Sequence, residues 1–448
     1  MTATKQQLHL GAFFFGPGHH LAAWRHPDVD PKGYTDLNTL KEWARLAEAA
    51  KFDAIFFADN VGMSDGPADL LARNALPHVY DPILLQTALA GATERIGLVA
   101  TVSTTYLPPY HLARKFATLD HLSGGRSGWN LVTSGSEFEA KAFGLPHQLD
   151  HAERYKIAHE YVDVVKGLWN SWEDDAFIHD KDSNRFFDPS KLHRIDHQGG
   201  KFQVKGSLQI PRSPQGYPVL VQAGSSNDGQ DLAAATAEVV FTAQQTVEDA
   251  RAFYSSLKSR LPKWGRTAHD LKIMPGISLF VGRTQQEAQD KFEQLQNLID
   301  PVLGVGLLSA FLGHVDLSAY PIDGPFPVDL PVGEGWKSRH ELFNKLAQRE
   351  NLTIRDLYKR VATGRGHWTL VGTPESIADQ LELWFTTGAA DGFNILSPTF
   401  PHGLKDFSEL VIPELQRRGL FRTEYTGRTL REHLGLTRPA HPTARAQT

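Results

Sequence analysis

Polar side chains follow four apolar segments of the sequence, at the point where each segment ends. The segment SGWNLVTS (127–134) carries Asn130, Thr133 and Ser134, although a buried strand of this kind is normally rich in Val, Ile and Leu. One such end could simply cap the next helix, but four in succession predict a cavity lined with hydrogen-bonding groups. The other three ends supply Asp59, Asn60, Thr101, Ser103, Thr104, Ser225 and Ser226.

The segment QAGSSNDG (222–229) has the composition of a phosphate-binding turn. Gly224 lets a ligand approach the backbone closely. Ser225 and Ser226 precede a predicted helix, whose first N–H groups and dipole favour an anion. A plain serine N-cap is the alternative interpretation. The usual phosphate site of a barrel also follows its last two strands, whereas this turn follows the fifth.

Histidines are the second chemical signal. His19 and His20 lie in GPGHHLAAWRHP (16–27), and His314 lies in FLGHVDLSAYP (311–321). Histidine is the commonest metal ligand, but neither a pair of histidines four residues apart on a helix nor a nearby carboxylate pair supports a metal site. We therefore expect no metal, and interpret these residues as lining a pocket or as structural.

These residues are carried by alternating predicted strands and helices. The alternation predicts a parallel sheet, and eight units favour a closed (β/α)8 TIM barrel, whose chemistry lies at the carboxyl ends of its strands. We expect a single barrel domain over residues 1–448. We expect insertions in the strand–helix loops at about 173–215 and 300–366, and a tail from about 427–448 that is either disordered or laid across a partner subunit. The predicted strands are 8–15, 53–59, 96–104, 127–134, 218–224, 237–243, 272–282 and 391–398.

Composition narrows the class of protein. The chain has 448 residues, a net charge of −5 and no cysteine. The negative net charge does not indicate the basic surface that nucleic-acid binding requires. The lack of cysteine excludes disulfides, thiolate nucleophiles and iron–sulfur clusters. The N-terminus does not resemble a signal peptide, and the apolar runs are too short to span a membrane. We therefore expect a soluble, cytoplasmic enzyme.

Taken together, the motifs resemble one known family over about residues 8–435. The chain is similar to the nitrilotriacetate monooxygenase and dibenzothiophene sulfone monooxygenase group of the bacterial luciferase-like flavin monooxygenases. The most specific of the shared motifs contain SGGR, GWN and QAGSS. The segments that carry the resemblance are GAFFFGPGHHLAAWRHP, KFDAIFFADN, ATVSTTYLPPYHLARKFATLDHLSGGRSGWNLVTS, HAERY, PVLVQAGSS, TLVGTPESIAD and GAADGFNILSP.

The resemblance implies a two-component enzyme. Reduced FMN would come from a separate NAD(P)H:FMN reductase, and O2 would be used to oxidise a small organic substrate with cleavage of a C–S or C–N bond. It also implies a homodimer or homotetramer. By position, Asp59, Thr101, Ser103 and Asn130 would border the flavin ring, and Tyr155, Gly224, Ser225 and Ser226 would hold its phosphate. Asn130, His20 and His314 would be catalytic, and the substrate would meet Phe13, Phe15, Trp24, Phe57 and His314.

Two alternatives stay open. Related barrels include hydride-transferring oxidoreductases that use a deazaflavin, and a relative could bind flavin without catalysis. No G-x-G-x-x-G motif follows a predicted strand, which agrees with a partner that supplies the electrons. Between residues 13 and 26 Arg25 is the one Lys or Arg, and the aromatic residues around it favour a weakly charged substrate such as a sulfone, thioether or aryl compound.

Overall fold

The computed structural model describes residues 6–63, 66–76, 79–313, 315–327, 330 and 337–445. Eight parallel strands within these ranges close into a barrel in the order β1-β2-β3-β4-β7-β8-β9-β11, with β11 paired to β1. The predicted TIM barrel is confirmed. The strands are β1 (His9–Phe14), β2 (Ala54–Phe57), β3 (Gly97–Ser103), β4 (Ser127–Val132), β5 (Ile195–Gln198), β6 (Gln203–Gly206), β7 (Val219–Gln222), β8 (Val239–Thr242), β9 (Lys272–Val281), β10 (Trp368–Gly372) and β11 (Gly392–Leu396).

Helices surround the barrel and fill the loops between its strands. They are α1 (Leu37–Ala49), α2 (Ala68–Leu71), α3 (Pro82–Ala90), α4 (Pro109–Leu122), α5 (Glu137–Ala142), α6 (His151–Trp169), α7 (Asn227–Thr236), α8 (Val247–Lys258), α9 (Gln285–Asn297), α10 (Pro301–Phe311), α11 (Lys337–Glu350), α12 (Ile354–Gly364), α13 (Pro374–Thr386), α14 (His402–Asp406), α15 (Ile412–Arg417), α16 (Leu430–His433) and α17 (Pro442–Arg445). Short 3-10 turns cover Ala23–Arg25, Gly33–Thr35, Pro189–Lys191, Leu261–Trp264 and Ala268–Asp270, and Phe407–Val411 is π-helical. In the described ranges, none of the helices combines the length and apolarity that crossing a bilayer would require.

Strand β4 shows how the sequence divides its side chains between two layers. Trp129 and Leu131 pack outward against the helices, in a cluster that includes Phe116 and Tyr161. Because successive side chains of a strand point to opposite faces, Asn130 points into the barrel. The helix before this strand ends at Gly124 and Gly125, which adopt positive φ angles of 68° and 90° and allow the tight turn into β4.

The two predicted insertions lie at different ends of the barrel. The second, which contains α10 to α12, reaches the carboxyl end: the Leu21 N–H, after β1, donates to the Ala362 carbonyl. The first differs from the expectation, because it follows α6 and precedes β7. A helix-to-strand connection starts at the amino-terminal end of a parallel barrel, so this insertion begins away from the strand ends that form a site.

The described part of the predicted tail, residues 427–445, packs against its own barrel, which differs from the expected disorder. Leu430, Leu434 and Leu436 join the cluster inside the barrel, with Val99 and Val221. Gly97 and Gly128 make room for Leu430, whose Cδ1 and Cδ2 lie 2.4 and 3.2 Å from the positions that Cβ atoms would take at those two glycines. The spacing of the three leucines gives α16 and the turn after it one apolar side. This side closes the amino-terminal end of the barrel.

Candidate active site

Asn130 and Thr101 form a buried polar pair inside the barrel. They are opposite each other on β4 and β3, and both are 2% exposed. Asn130 Nδ2 donates to Thr101 Oγ1 at 2.9 Å, and Thr101 Oγ1 donates to the Phe57 carbonyl at 2.7 Å. Asn130 Oδ1 is buried with no hydrogen-bond partner in the described part of the chain. A buried acceptor of this kind normally has a partner, so its position fits a donor on a bound ligand.

Ser103 extends this polar surface towards the loops. Its Oγ accepts from Ser134 Oγ at 2.9 Å and from the Thr105 N–H at 3.1 Å. Ser134 adopts a positive φ of 50°, which a non-glycine residue seldom takes. The Arg154 guanidinium donates to the Ser134 carbonyl and holds this turn from α6. The ends of β3 and β4 therefore meet as predicted.

Asp59 follows β2 at the same end of the barrel. Burial raises the pKa of its carboxyl group to about 7, and the nearby charges of Asp81 and Glu139 raise it further in the same direction. The Asn60 N–H opposes this shift by a hydrogen bond. The protonated and charged forms of Asp59 are therefore both populated near neutral pH, which suits a group that holds or passes a proton.

A tight glycine turn lies at the N-terminus of α7. A Cβ on Gly224 would come within 2.9 Å of Tyr155 Oη, and one on Gly229 would come within 2.9 Å of the Gly224 backbone. Ser226 is the N-cap of α7, and its Oγ accepts from the Gly229 N–H at 3.1 Å. Gly224, Ser225, Ser226 and Tyr155 are thus brought together as predicted. Backbone N–H groups at such a helix start favour a phosphate.

His151 is a member of this cluster that the sequence reasoning did not single out. Its Nε2 lies 3.5 Å from Ser226 Oγ, its Nδ1 lies 3.2 Å from Asp228 Oδ2, and its ring centroid is 4.8 Å from that of Tyr155. The signal was present in the motif HAERY, because residues four apart on a helix share one face. His151 and Tyr155 therefore both reach the α7 turn from the first turns of α6.

An aromatic surface lies around β1, on the side of the barrel opposite the α7 turn. Phe13 contacts Phe56 and Phe241, with ring centroids 4.6 and 5.6 Å away. Phe15 lies 6.0 Å from Phe13. Phe57, predicted to face the substrate, packs outward on Phe14 instead, because Phe13 pairs with Phe56 across β1 and β2. Because side chains alternate along β2, Phe56 points into the barrel. Phe57, which the sequence reasoning had named as the substrate contact, points outward.

The two histidines after β1 have different surroundings. His19 stacks on Phe15 at 5.1 Å, and its Nε2 donates to the Phe13 carbonyl at 2.8 Å. His20 faces Phe280, and its Nδ1 accepts from the Ala22 N–H at 3.1 Å. Burial lowers the pKa of the His20 imidazole to about 3, so the ring is neutral and its Nε2 carries the proton. Within the described residues this Nε2 has no partner.

The remaining predicted residues are placed as follows. Trp24 lies in the 3-10 turn Ala23–Arg25, and its indole N–H is buried without a partner among the described residues. His314 lies outside the described residues. Arg25, the cation noted near the first loop, donates to the Leu298 carbonyl from an exposed position. None of these contacts tests the predicted roles of Trp24 and His314.

A group of metal-binding residue types lies where the first insertion meets the tail. Glu173, His193 and His441 hold possible ligand atoms within 4.8 Å of one another. His193 Nε2 is 2.8 Å from Glu173 Oε1. His441 Nε2 lies 3.0 Å from the Asn170 carbonyl and its Nδ1 lies 2.7 Å from Thr443 Oγ1. These contacts use both nitrogens of His441, and the cluster fastens the tail to the insertion.

The fold and the polar strand ends define a (β/α)8-barrel protein whose candidate site lies at the carboxyl ends of its strands. The sequence matches the luciferase-like monooxygenase family over residues 17–391. The chain belongs to this family and is a flavin-dependent monooxygenase. The resemblance drawn from the motifs is confirmed.

Individual relatives match over almost the whole chain. N-acetyl-S-(2-succino)cysteine monooxygenase of Bacillus subtilis is 49% identical, over 98% of this chain and 99% of the relative. Nitrilotriacetate monooxygenase component A of Aminobacter aminovorans is also 49% identical, with the same coverage of both chains. A solved structure of riboflavin lyase with a modified FMN and riboflavin is 33% identical, with a TM-score of 0.87 over 98% of this chain and 99% of that chain.

Proposed function

We propose that the chain is the oxygenase component of a two-component system, which takes reduced FMN from a separate NAD(P)H:FMN reductase and uses O2 to oxidise a small organic substrate. The observation that carries the proposal is the glycine turn at α7, packed under Tyr155 and facing the same cavity end as the unpartnered Asn130 Oδ1. A nitrilotriacetate relative named "component A" supports a system with a second component.

The described residues fit FMN at both ends of the molecule. The N-terminus of α7, Ser225, Ser226 and Tyr155 would hold the phosphate, with no side chain at Gly224 to block it. Asn130 Oδ1 would accept from a ring N–H, since its Nδ2 is already bonded to Thr101. Ser103 and Asp59 would border the ring. Reduced FMN supplies the electrons that activate O2, while the protein binds, orients and excludes water.

The neighbouring side chains would serve the substrate. Phe13 and Phe56 keep one side of the cavity apolar, which keeps water away from the reacting atoms. The neutral His20 would offer its Nε2 proton by a hydrogen bond, and Asp59, with a pKa of about 7, would hold or release a proton. His314 and Trp24 remain proposed substrate contacts.

We infer that the reaction breaks a C–S or C–N bond. The two relatives with 49% identity are named for a thioether derivative of cysteine and for nitrilotriacetate, which contain these bonds. An amino-acid-like compound that carries carboxylates therefore has more support than the weakly charged substrate that the aromatic residues favoured. The protein would act in the cytoplasm.

The deciding experiment separates electron supply from oxygenation. The purified chain with FMN, NADH and O2 should leave NADH unchanged. Addition of an unrelated NADH:FMN reductase should start oxidation of a panel of thioethers and tertiary amines, with one atom of ¹⁸O from ¹⁸O2 in a product. The reductase alone with the same panel is the control.

Three results would contradict the proposal. NADH oxidation by the chain alone, on the order of 1–10³ s⁻¹, would show a nicotinamide site in the protein itself. Substrate oxidation without O2 would indicate a deazaflavin-dependent hydride transfer. Binding of reduced FMN with no ¹⁸O-labelled product from any compound would indicate a flavin-binding protein without catalysis.

We also propose a homodimer or homotetramer. Leu84 on α3 and Val302 on α10 are 71% and 58% exposed, and exposed apolar side chains of this kind occur where subunits meet. Light scattering on the purified protein should give a mass of two or four chains. A monomeric mass at micromolar concentration would contradict this part of the proposal.

A further inference from the structure

A small buried cavity lies inside the barrel, between the strands and the tail. Its volume, counted for the centre of a water-sized sphere, is about 30 Å³. A single water needs about 10–15 Å³ on this measure, so the space suits one small molecule and is too small for an organic substrate. We call it the core cavity. Its walls include Ala54, Val99, Val221, Val239, Met274 and Leu434, each at most 8% exposed.

Small residues on neighbouring strands leave this space. Gly11, Ala54 and Gly97 form a row across β1, β2 and β3, each paired with the next. A TIM barrel normally fills such inward positions with bulky branched side chains. Leu430 of the tail fills the space at Gly97, and Asn394 fills the space at Gly11, where its Oδ1 lies 2.1 Å from the position of a Cβ. Space remains beside Ala54, which lines the core cavity.

The core cavity lies directly below the proposed flavin contacts. Val221 on its wall is the strand partner of Asn130. Val99 on its wall precedes Thr101 by two residues, so both point inward and are about 7 Å apart along β3. Phe56 belongs both to the wall and to the aromatic surface of the candidate site. The core cavity and the candidate site therefore share parts of their walls.

The lining of the core cavity favours an apolar guest. Its two polar side chains, Asp53 and Asn394, are already bonded to the protein. The Asp53 carboxylate accepts from His9 Nδ1 at 3.0 Å and from the Leu10 N–H at 2.7 Å. Asn394 Nδ2 donates to the Met274 carbonyl at 3.2 Å. A buried water usually makes about three hydrogen bonds, whereas apolar cavities take guests such as xenon.

We propose that the core cavity binds O2 and holds it beside the candidate site. The inference rests on the proposed function, in which O2 is the oxidant. O2 is small and apolar, so it leaves water readily for an apolar space and gains dispersion contacts there. Flavin and substrate would occupy the carboxyl end of the barrel, and O2 in the core cavity would not compete with them. No bond forms or breaks in this step, which raises the local concentration of O2.

Xenon serves as the probe for the cavity itself. Anomalous diffraction from xenon-pressurised crystals of the FMN-free protein should locate xenon beside Val99, Val239 and Met274, and ¹²⁹Xe NMR titration should give its affinity. Val239→Phe fills the space and should weaken xenon binding at least tenfold. Val239→Ile adds a single methylene, which a core tolerates more easily, and should weaken it by a smaller factor. Melting temperatures show whether each variant is folded.

The second measurement concerns O2. FMN bound to the protein is reduced with dithionite, and its reoxidation by O2 is followed by flavin absorbance in a stopped-flow instrument. Val239→Phe should lower the second-order rate constant at least threefold, and Val239→Ile should lower it less. The Kd for FMN should stay within twofold in both variants, since Val239 is not among the proposed flavin contacts.

Val240→Ile is the matched control. Val240 is the next residue on β8, and it packs on the outer side of the strand with Ala233 and Leu257. The variant adds the same methylene to the same strand, on the side away from the core cavity. Its xenon affinity and its rate constant with O2 should equal those of wild type.

Four results would overturn the proposal. They are absence of xenon from the core cavity of wild type, xenon binding that both Val239 variants retain in full, an unchanged rate constant with O2 in variants that have lost xenon binding, and an equal loss in Val240→Ile. The xenon measurement needs no FMN, reductase or turnover. Its failure is therefore distinguishable from failure of the oxygenase proposal, which the ¹⁸O experiment tests.

Discussion

Asn130 and Asp59 show how single side chains prepare the cavity. Asn130 uses its amide N–H group within the protein and leaves its buried oxygen without a partner in the described part of the chain. Asp59 is buried near two other carboxyl groups, which keeps its pKa at about 7. Both arrangements cost stability in the free protein, and we propose that a bound ligand supplies the missing hydrogen bonds.

Replacement of Asp59 by asparagine should make stability less dependent on pH. The folded protein, with a pKa of about 7 at this carboxyl group, binds more protons than the unfolded chain, with a value of 3.8. Its contribution to stability is therefore fully present below pH 4 and is lost as the pH rises towards 7. Asp59→Asn should lie within about 1 kcal/mol of wild type at pH 4 and be more stable by roughly 3–5 kcal/mol at pH 8, since the shift spans about three pKa units of about 1.4 kcal/mol each.

Thermal and denaturant unfolding of the two proteins across this range provides the measurement. Other titrating groups are common to both proteins, so they cancel in the difference between the free energies of unfolding. A difference that does not change between pH 4 and pH 8 would show that the carboxyl group titrates normally.

Replacement of Asn130 by leucine should weaken FMN binding more than folding. The loss of one hydrogen bond to the flavin should lower affinity by about three- to tenfold. The free energy of unfolding of the FMN-free protein should change by less than about 1 kcal/mol, since leucine removes an unpaired buried acceptor. Equilibrium titration with FMN and chemical unfolding measure the two effects.

Gln86→Leu is the matched control for this variant. Gln86 is a buried amide on α3 whose Nε2 donates to the Val99 carbonyl at 3.1 Å, and its Oε1 has no partner among the described residues. It lies in the helix layer and should leave FMN affinity unchanged. If both variants bind FMN like wild type, Asn130 does not face the flavin.

At the scale of elements, α7 combines a structural and a proposed binding role. Its N-cap Ser226 satisfies the Gly229 N–H, and the turn before it is closed by the contact between Gly224 and Gly229. The same N–H groups that a helix leaves unpaired at its start are those that favour a phosphate. A change at the start of α7 should therefore affect both folding stability and phosphate affinity. A control variant at the start of another helix separates the two effects.

Replacement of Ser225 and Ser226 together by alanine should weaken FMN binding by at least tenfold, because two charge-assisted hydrogen bonds to phosphate are lost. The lost cap should also lower stability by about 1 kcal/mol. Thr284→Ala removes the N-cap of α9, where Thr284 accepts from the Glu287 N–H. It should lower stability equally and leave FMN affinity intact; equal FMN affinity of all three proteins would place the phosphate elsewhere.

At the scale of the whole molecule, the two ends of the barrel have separate tasks. The carboxyl end holds the polar strand ends and the aromatic surface. The amino-terminal end is closed by the tail, where Arg431 forms a buried ion pair with Glu238 and its N–H donates to Gln215 Oε1 at 2.9 Å. Because the tail closes the amino-terminal end, we expect substrate and flavin to reach the strand ends from the carboxyl side.

Replacement of Leu430 by alanine should destabilise the protein without changing the candidate active site. Leu430 is 1% exposed in a cluster with side chains of β2, β3 and β7, and a Leu→Ala change at such a site costs about 2–5 kcal/mol. FMN affinity should stay within twofold, since the leucine lies at the opposite end. Leu122→Ala, at a 64% exposed position on α4, should change neither quantity. Loss of FMN binding in a folded Leu430→Ala protein would show that the two ends are coupled.

The sequence by itself determined the eight strands, their order along the chain and the polar strand ends. These follow from local rules: alternation of apolar residues, glycine turns such as Gly124–Gly125, and N-caps such as Ser226. The family could also be identified from the sequence, because the motifs around Asn130 and Ser225 are short, continuous stretches that can be read without the structure. The grouping of Gly224, Ser226 and Tyr155 was predicted through the resemblance and agrees with the geometry.

Only the tertiary structure decided which residues meet across the barrel. The pairing of β2 with β1 sets which side chains of β2 point into the barrel, so Phe56 rather than Phe57 faces Phe13. Arg365 and His19 are 346 residues apart, and no local pattern specifies such a contact. The tail closes the barrel because Gly97 and Gly128, on two different strands, leave one shared space for Leu430. Contacts of this kind depend on the register and closure of the sheet, which the chain reaches only when it is folded.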